Sequence, residues 1–168
     1  MNLLNQFEQG LTTHDFPMEH IPVIDLYMDQ ILCLFDDDFP YNKSEPRLTR
    51  AMINNYVKQK IIPAPVKKKY NQTHIYCLII ICLLKRILSM QEIKTLLDPY
   101  LEDPKSLEDT YRSYLEQKQT LNELLQQGDM TQFKQQFTLS HNSLLASLLL
   151  SYYSNVLSES ARSLASID

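Results

Sequence analysis

Residues 61–84 have the sequence IIPAPVKKKYNQTHIYCLIIICLL, whose two halves differ in character. Two prolines within three residues forbid a helix in the first half, where three successive lysines end at Tyr70. We therefore expect an extended, short β-ribbon in this half. The second half is apolar almost all round, which predicts a central helix from Thr73 to about Leu88, capped by Asn71.

Two amphipathic helices are predicted before this ribbon. The first starts near Pro22 and ends in the stretch Asp36–Pro40, and its apolar residues recur at helical spacing: Ile24, Tyr27, Met28, Ile31, Leu32 and Phe35. A polar loop follows, and Thr49 is a suitable N-cap for the second helix, which extends to about Lys60. The apolar side of this second helix carries Met52, Ile53, Tyr56 and Val57. Its opposite side has bases and amides but no acid: Arg50, Ala51, Asn54, Asn55 and Lys58.

Further helices are predicted after the ribbon. Ser89 and Glu92 have capping-box spacing, which indicates a short helix over 90–97. A coiled-coil-like seam follows, interrupted by Lys118 and ended by Gly128; its other members are Leu107, Tyr111, Tyr114, Leu121 and Leu125. Helices over 130–137 and about 144–164 complete a mostly α-helical chain. The seam either joins two copies in a homodimer or packs within one chain.

Charge is distributed unevenly along the 168 residues. Residues 1–40 hold eight acids and no lysine or arginine, whereas residues 41–94 hold eleven bases and two acids. An acidic protein with a basic middle suggests that the middle meets a polyanion; the alternative is a solvated charged face. With only two glycines, the chain can form neither common phosphate-binding glycine motif.

No motif in the sequence indicates catalysis, a metal or a cofactor. His74 and His141 have no partner at metal-ligand spacing, and the acids of the first helix lack a paired nucleophile or base. Cys33, Cys77 and Cys82 lie among apolar residues, so we expect buried free thiols in a reducing compartment. The chain starts without a signal-peptide pattern, and its longest apolar run is about half a membrane span. We therefore expect a cytoplasmic protein without membrane contact.

The order helix, loop, helix, basic ribbon and central helix is that of a winged helix-turn-helix. An asparagine can bond adenine bidentately and an arginine can bond guanine, so the candidate base-reading residues are Arg50, Asn54, Asn55 and Lys58. Lys67, Lys68 and Lys69 would bring cations to phosphates as a wing. For the asparagines the alternative is ordinary surface, and for the lysines it is a merely soluble turn.

Three blocks of the sequence also resemble known regulators. Residues 48–63, LTRAMINNYVKQKIIP, resemble the recognition helix and exit of MerR-type regulators. Lys67–Tyr70 is similar to the wing end of that family, and residues 88–94, LSMQEIK, are similar to the segment after its third helix. MerR proteins usually carry arginine in place of Asn54 and glycine in place of Lys60, and their loop before the recognition helix is shorter.

A second resemblance is closer. Residues 21–30, IPVIDLYMDQ, and residues 49–58, TRAMINNYVK, resemble a bacterial family described only as a domain of unknown function and assigned to the MerR-like group. This resemblance covers roughly residues 20–97. It implies a MerR-like winged helix-turn-helix fold with DNA as the partner.

Together these features predict three regions: a loosely packed lead-in over 1–20, a MerR-like winged helix-turn-helix domain over 21–100, and a helical C-terminal region over 101–168. The predicted function is sequence-specific binding of double-stranded DNA as a homodimeric transcriptional regulator. Helix 49–60 would enter the major groove, and the wing over 63–70 would contact phosphates. The alternative is a protein-interaction module built on a repurposed winged helix. The sequence does not identify a small-molecule effector.

Overall fold

The structure is a computed structural model that describes residues 3–11, 14–41, 45–138 and 142–165. This part of the chain is mostly helical, as predicted, with one small antiparallel sheet. Its elements are α1 (Leu3–Gly10), β1 (Leu26–Tyr27), α2 (Met28–Asp38), α3 (Arg50–Lys58), β2 (Lys69–Tyr70), α4 (Gln72–Leu84), α5 (Met90–Leu97), α6 (Pro104–Gln127), α7 (Met130–Thr138) and α8 (Ser143–Ala165).

Helix α4 lies at the centre of the fold. Every residue from Ile75 to Leu84 is buried, as expected for a helix that is apolar on all sides. Helices α5, α6 and α8 and strand β2 all contact it. One continuous core therefore extends across the predicted boundary at residue 100 and joins the two regions on either side.

Side-chain caps define the helix starts that the sequence predicted. Thr49 Oγ1 accepts a hydrogen bond from the Met52 N–H at 3.2 Å, and Asn71 Oδ1 accepts one from the His74 N–H at 3.3 Å. Ser89 and Glu92 form the expected capping box. Helix α4 ends at Leu84, earlier than predicted, because the following residues turn and Arg86 bonds back to Glu45.

The first predicted helix begins later than expected. Helix α2 starts at Met28, because Leu26 and Tyr27 instead form a strand that pairs with Tyr70 and Lys69. The expectation that Ile24 lies on an apolar helix face is therefore wrong: Ile24 is 70% exposed. Pairing with a segment more than forty residues away cannot be inferred from local spacing.

The lead-in is packed, contrary to the expectation of a loose segment. Helix α1 lies against α8 so closely that a Cβ on Gly10 would be 2.7 Å from Val156 Cγ1. Leu11 and Phe16 are buried, and the Tyr111 hydroxyl donates a 2.9 Å hydrogen bond to the Phe16 carbonyl. The N-terminal segment is thus part of the core.

The seam of α6 packs within the chain, which is one of the two alternatives that the sequence left open. Its residues Leu107, Tyr111, Tyr114 and Leu121 are almost fully buried and Leu125 is partly buried, while α6 contacts α4 and α8. In this structure, residues of the same chain bury these side chains. A homodimer stays a prediction.

Lys118 interrupts this seam because it has a carboxylate partner in the lead-in. Its ammonium donates to Asp15 and lies 4.3 Å from the centre of the Tyr152 ring. Burial lowers the pKa of Lys118, and the Asp15 carboxylate opposes that effect. The ion pair joins the N-terminal segment to α6 at a site shielded from water.

We expect removal of Asp15 to destabilise the fold more than replacement of Lys118. The change Asp15→Ala leaves a buried ammonium without its carboxylate and should cost about 3–5 kcal/mol, whereas Lys118→Met removes the buried charge and should cost distinctly less. The exposed pair of Lys105 and Asp109 provides a control, because Asp109→Ala should change stability by about 1 kcal/mol or less. Urea denaturation measures all three. Equal losses for Asp15→Ala and Asp109→Ala would contradict this account.

The remaining expectations about the chain have mixed outcomes. Cys77 and Cys82 are buried, but Cys33 is exposed, so the expectation of three buried thiols is wrong for Cys33. Its helix, α2, buries Ile31 and Phe35 on another face. Among the described helices, none combines the length and apolarity needed to cross a membrane. His141 lies outside the described residues.

Candidate nucleic-acid interface

Helix α3 presents the polar face that the sequence predicted. Ile53 and Tyr56 are buried, whereas the four candidate base-reading residues are all exposed: Arg50, Asn54, Asn55 and Lys58. The Thr49 cap fixes the start of the helix, and the buried pair fixes its rotation about its axis. The orientation of the polar face therefore follows from local sequence.

Two of these four side chains already have partners within the chain. Arg50 forms an ion pair with Asp29 of α2, and both side chains are more than half exposed. The Gln59 amide donates a 3.1 Å hydrogen bond to Asn55 Oδ1. To contact DNA, Arg50 must exchange Asp29 for a base or a phosphate. The sequence of α3 did not indicate this competition, because the acid belongs to α2.

Lys60 ends α3 in the left-handed conformation. Its φ is 55°, its N–H donates to the Val57 carbonyl, and the Ile61 N–H donates to the Tyr56 carbonyl. This is the Schellman arrangement, in which glycine is the usual residue. The helix therefore ends in the same geometry that a glycine would give, with a lysine at that position.

The predicted basic ribbon is a tight β-hairpin. We call residues 66–70 the lysine hairpin: Val66 and Lys69 exchange both backbone hydrogen bonds, at 2.9 and 3.1 Å, around a two-residue turn. Lys67 and Lys68 form that turn with φ values of 50° and 65°, and both side chains are exposed. Positive φ at both central positions is the type I′ geometry, which normally selects Asn-Gly.

The third lysine differs from the two at the tip. Lys69 is only partly exposed and its Nζ lies 5.1 Å from the centre of the Tyr27 ring. Because Tyr27 pairs with Lys69 and Lys69 pairs with Val66, their three side chains share the outer face of the small sheet. Lys67 and Lys68 are therefore the two lysines of this triplet that project from the tip.

Tyr70 holds the base of the hairpin against the core. It is buried, and its ring meets the His74 ring edge-on at 5.3 Å. Burial raises the pKa of Tyr70, and the Arg50 guanidinium opposes that shift, which indicates that the start of α3 lies near the hairpin base. The start of α3 and the base of the hairpin are thus neighbours in the fold.

His74 is the buried titratable group behind this unit. It caps α4 with Asn71, whose backbone N–H donates to its Nδ1 at 3.1 Å. Burial lowers the pKa of His74, while the nearby Ala64 and Pro63 carbonyls and Asp25 raise it. The neutral ring is therefore the form that suits the folded chain.

We expect the fold to lose stability when the pH falls below about 6.5, where an unfolded histidine takes up its proton. The folded chain binds that proton only at lower pH. Between the pKa of the unfolded histidine and that of folded His74, the unfolded state therefore binds more protons, and its population rises. Urea denaturation at pH 7.5 and at pH 5.5 measures the loss, and His74→Gln should reduce it. An unchanged loss in that variant would show that other groups cause it.

The linker between α2 and α3 is longer than a helix-turn-helix turn and has its own contacts. Arg47 Nη1 lies 3.0 Å from Asp36 Oδ1, and the Leu48 N–H donates to the Tyr41 hydroxyl at 3.0 Å. Arg86 forms a largely buried ion pair with Glu45 at 2.8 Å. Sequence reasoning missed these pairs, because no local pattern relates residues so far apart in the chain.

We expect the double change Lys67→Asn with Lys68→Gly to stabilise the protein by about 1–3 kcal/mol. Each non-glycine residue in the left-handed region costs roughly 1–2 kcal/mol, and Asn-Gly suits the type I′ turn. The matched control is the double change to alanine, which removes the same charges without relieving the backbone and should not stabilise. Thermal unfolding of the three proteins checks this. Equal melting temperatures for both double variants would contradict it.

The fold and this surface define a mostly helical protein with a basic hairpin beside a polar helix face. Residues 16–117 match a family described as "Domain of unknown function (DUF1836)", and because they make up more than half of the chain, the protein belongs to that family. The prediction of such a family is confirmed, whereas the link to MerR-type regulators stays a prediction. No curated protein and no solved structure matches the chain.

The family match includes both parts of the candidate interface, α3 and the lysine hairpin, and ends within α6. Among the described residues, no three His, Cys, Asp or Glu side chains come together in a group able to hold a metal ion.

Proposed function

We propose that this protein binds double-stranded DNA sequence-specifically and acts as a transcriptional regulator with a MerR-like winged helix-turn-helix. In this proposal α3 enters the major groove and the lysine hairpin is the wing. The observation that carries it is the pair of exposed lysines held at the tip of a tight turn, on the unit that also presents the acid-free face of α3.

The left-handed backbone at Lys67 and Lys68 is the strongest part of this argument. Two adjacent lysines keep a turn conformation that costs energy and that Asn-Gly would adopt readily. Backbone strain of this kind clusters at functional sites. Two exposed ammonium groups on a rigid turn suit phosphate oxygens, which supply the sequence-independent part of DNA affinity.

In this proposal, residues on the polar face of α3 contact the base edges. Asn54 and Asn55 offer amides for bidentate bonds to adenine, and Arg50 offers a guanidinium for guanine. Arg50 would first have to break its ion pair with Asp29. A guanine contact therefore adds to the DNA affinity only if the bidentate bond contributes more free energy than the exposed ion pair. For Asn54 and Asn55, no ion pair has to be broken. One unit reads a short half-site, and a homodimer with two-fold symmetry would read two.

A protein-interaction module is the second candidate, favoured by one observation. Val23 and Ile24 before β1 and Val66 on the lysine hairpin are 87%, 70% and 68% exposed. Exposed apolar side chains near the small sheet are typical of a surface that meets another protein. In that case the exposed lysines would contribute to recognition of an acidic partner surface.

Selection of sites from random duplexes at ~0.1 M salt, followed by binding measurements over a salt series, tests the proposal. Changing Lys67 and Lys68 to Asn-Gly should weaken binding to all duplexes and flatten the dependence of log K on log salt by about 0.9 for each phosphate that the variant no longer neutralises. Asn54→Ala should cost about 1–3 kcal/mol on the selected site, much less on random DNA, and leave the salt slope unchanged.

Lys134→Ala on α7 is the control, since it removes an exposed charge far along the chain from the hairpin and should leave the salt slope unchanged. The Asn-Gly variant is expected to be more stable than the natural chain, so its loss of binding cannot be assigned to unfolding. Failure to enrich any duplex, or unchanged DNA binding in the Asn-Gly and Asn54→Ala variants, would overturn the DNA proposal and favour the protein-interaction module.

A further inference from the structure

A cavity of about 300 Å³ lies where three segments meet, away from the lysine hairpin. The linker contributes Glu45 and Pro46, the turn after α4 contributes Lys85 and Arg86, and α8 contributes polar residues that include Ser154 and Ser158 and the base Arg162. Three cations line this space, two of them with carboxylate partners: Arg86 pairs with Glu45, and Arg162 pairs with Glu159 on α8. This concentration of cationic side chains is the first sign of an anion site.

Lys85 is the second sign. Its Nζ is buried and has no hydrogen-bond partner in the part of the chain that the structure describes. The nearby Cys82 thiol does not compensate the charge, because burial raises the pKa of Cys82 to about 11, with Lys85 only partly opposing this, and leaves the thiol neutral. A buried ammonium without a partner is costly, and an oxyanion would satisfy it.

The neighbours of Lys85 complete a binding site rather than a closed ion pair. Arg86 is already bonded to Glu45 and to the Pro40 carbonyl, at 2.8 and 3.3 Å, which holds the guanidinium in place. Ser154 and Ser158 both line the cavity, one helical turn apart on α8, and each has a hydroxyl that can donate a hydrogen bond. Ammonium, guanidinium and hydroxyl donors on three sides suit a compact anion with several oxygens.

We propose that this cavity binds a small oxyanion, a phosphate or a carboxylate, with Lys85 as its principal ligand and Ser158 as a supporting donor. The site joins the linker that leads into α3 to the end of α4 and to α8. A bound anion would thus connect the proposed DNA-reading helix to the C-terminal helices and could regulate DNA binding. This regulatory role rests on the proposed function, whereas binding of the anion does not.

Thermal unfolding and calorimetry on the full chain, without DNA, test the binding step. Inorganic phosphate and acetate are titrated separately against chloride at equal ionic strength. We expect at least one of the two oxyanions to raise the melting temperature saturably by several degrees above the chloride control. Phosphate alone would identify a phosphate site, acetate alone would identify a carboxylate site, and both would identify a general oxyanion site.

Lys85→Met should weaken the binding of that oxyanion at least tenfold, and Ser158→Ala should weaken it less. Without the oxyanion, Lys85→Met should melt no lower than the natural chain, because it removes an uncompensated buried charge. The matched control is Lys134→Met on α7. No shift beyond chloride, or the same affinity in Lys85→Met as in the control, would overturn the proposal whether or not the protein binds DNA.

Discussion

The burial of α4 is the constraint on which the rest of the structure depends. A helix whose residues from Ile75 to Leu84 are all apolar and buried must be covered on every side. Helices α6 and α8 cover part of it, and α5 and β2 contact it as well. The seam of α6, which could have served a second copy, is thereby used inside one chain. Beyond this layer, α1 packs on α8 and Phe16 is buried against Phe35, which makes the N-terminal segment part of a single packed unit.

The small sheet is the second connection, and it shapes the candidate interface. Two residues of β1 pair with two residues of β2, and this short contact fixes the base of the lysine hairpin beside the start of α2. With its base fixed, the hairpin must reverse direction at Lys67 and Lys68. The left-handed backbone of this turn is adopted by two lysines rather than by asparagine and glycine, so it costs conformational energy. The two positive φ values of the hairpin therefore lie at two exposed cations.

Ion pairs between the acidic residues of 1–40 and the basic residues of 41–94 reduce the basic surface that the sequence predicts. The acids of the first region do not form a separate surface: Asp29 meets Arg50, and Asp36 meets Arg47. Within the basic region itself, Arg86 is bonded to Glu45. The other exposed cations at the candidate interface lie at the hairpin tip, Lys67 and Lys68, and at the end of α3, Lys58 and Lys60. The exposed basic surface is therefore smaller, and more localised, than eleven bases would suggest.

The sequence by itself determined the features that depend on neighbours along the chain. Thr49, Asn71 and Ser89 cap their helices as expected, and the apolar spacing of α3 sets which side is buried. Only the tertiary structure decided the features that depend on distant segments. The pairing of β1 with β2 moved the start of α2, Asp15 gave the buried Lys118 its partner, and Asp29 engaged Arg50. Caps and periodicity act over a single turn of helix, whereas these contacts join residues separated by tens of positions, which local spacing cannot encode.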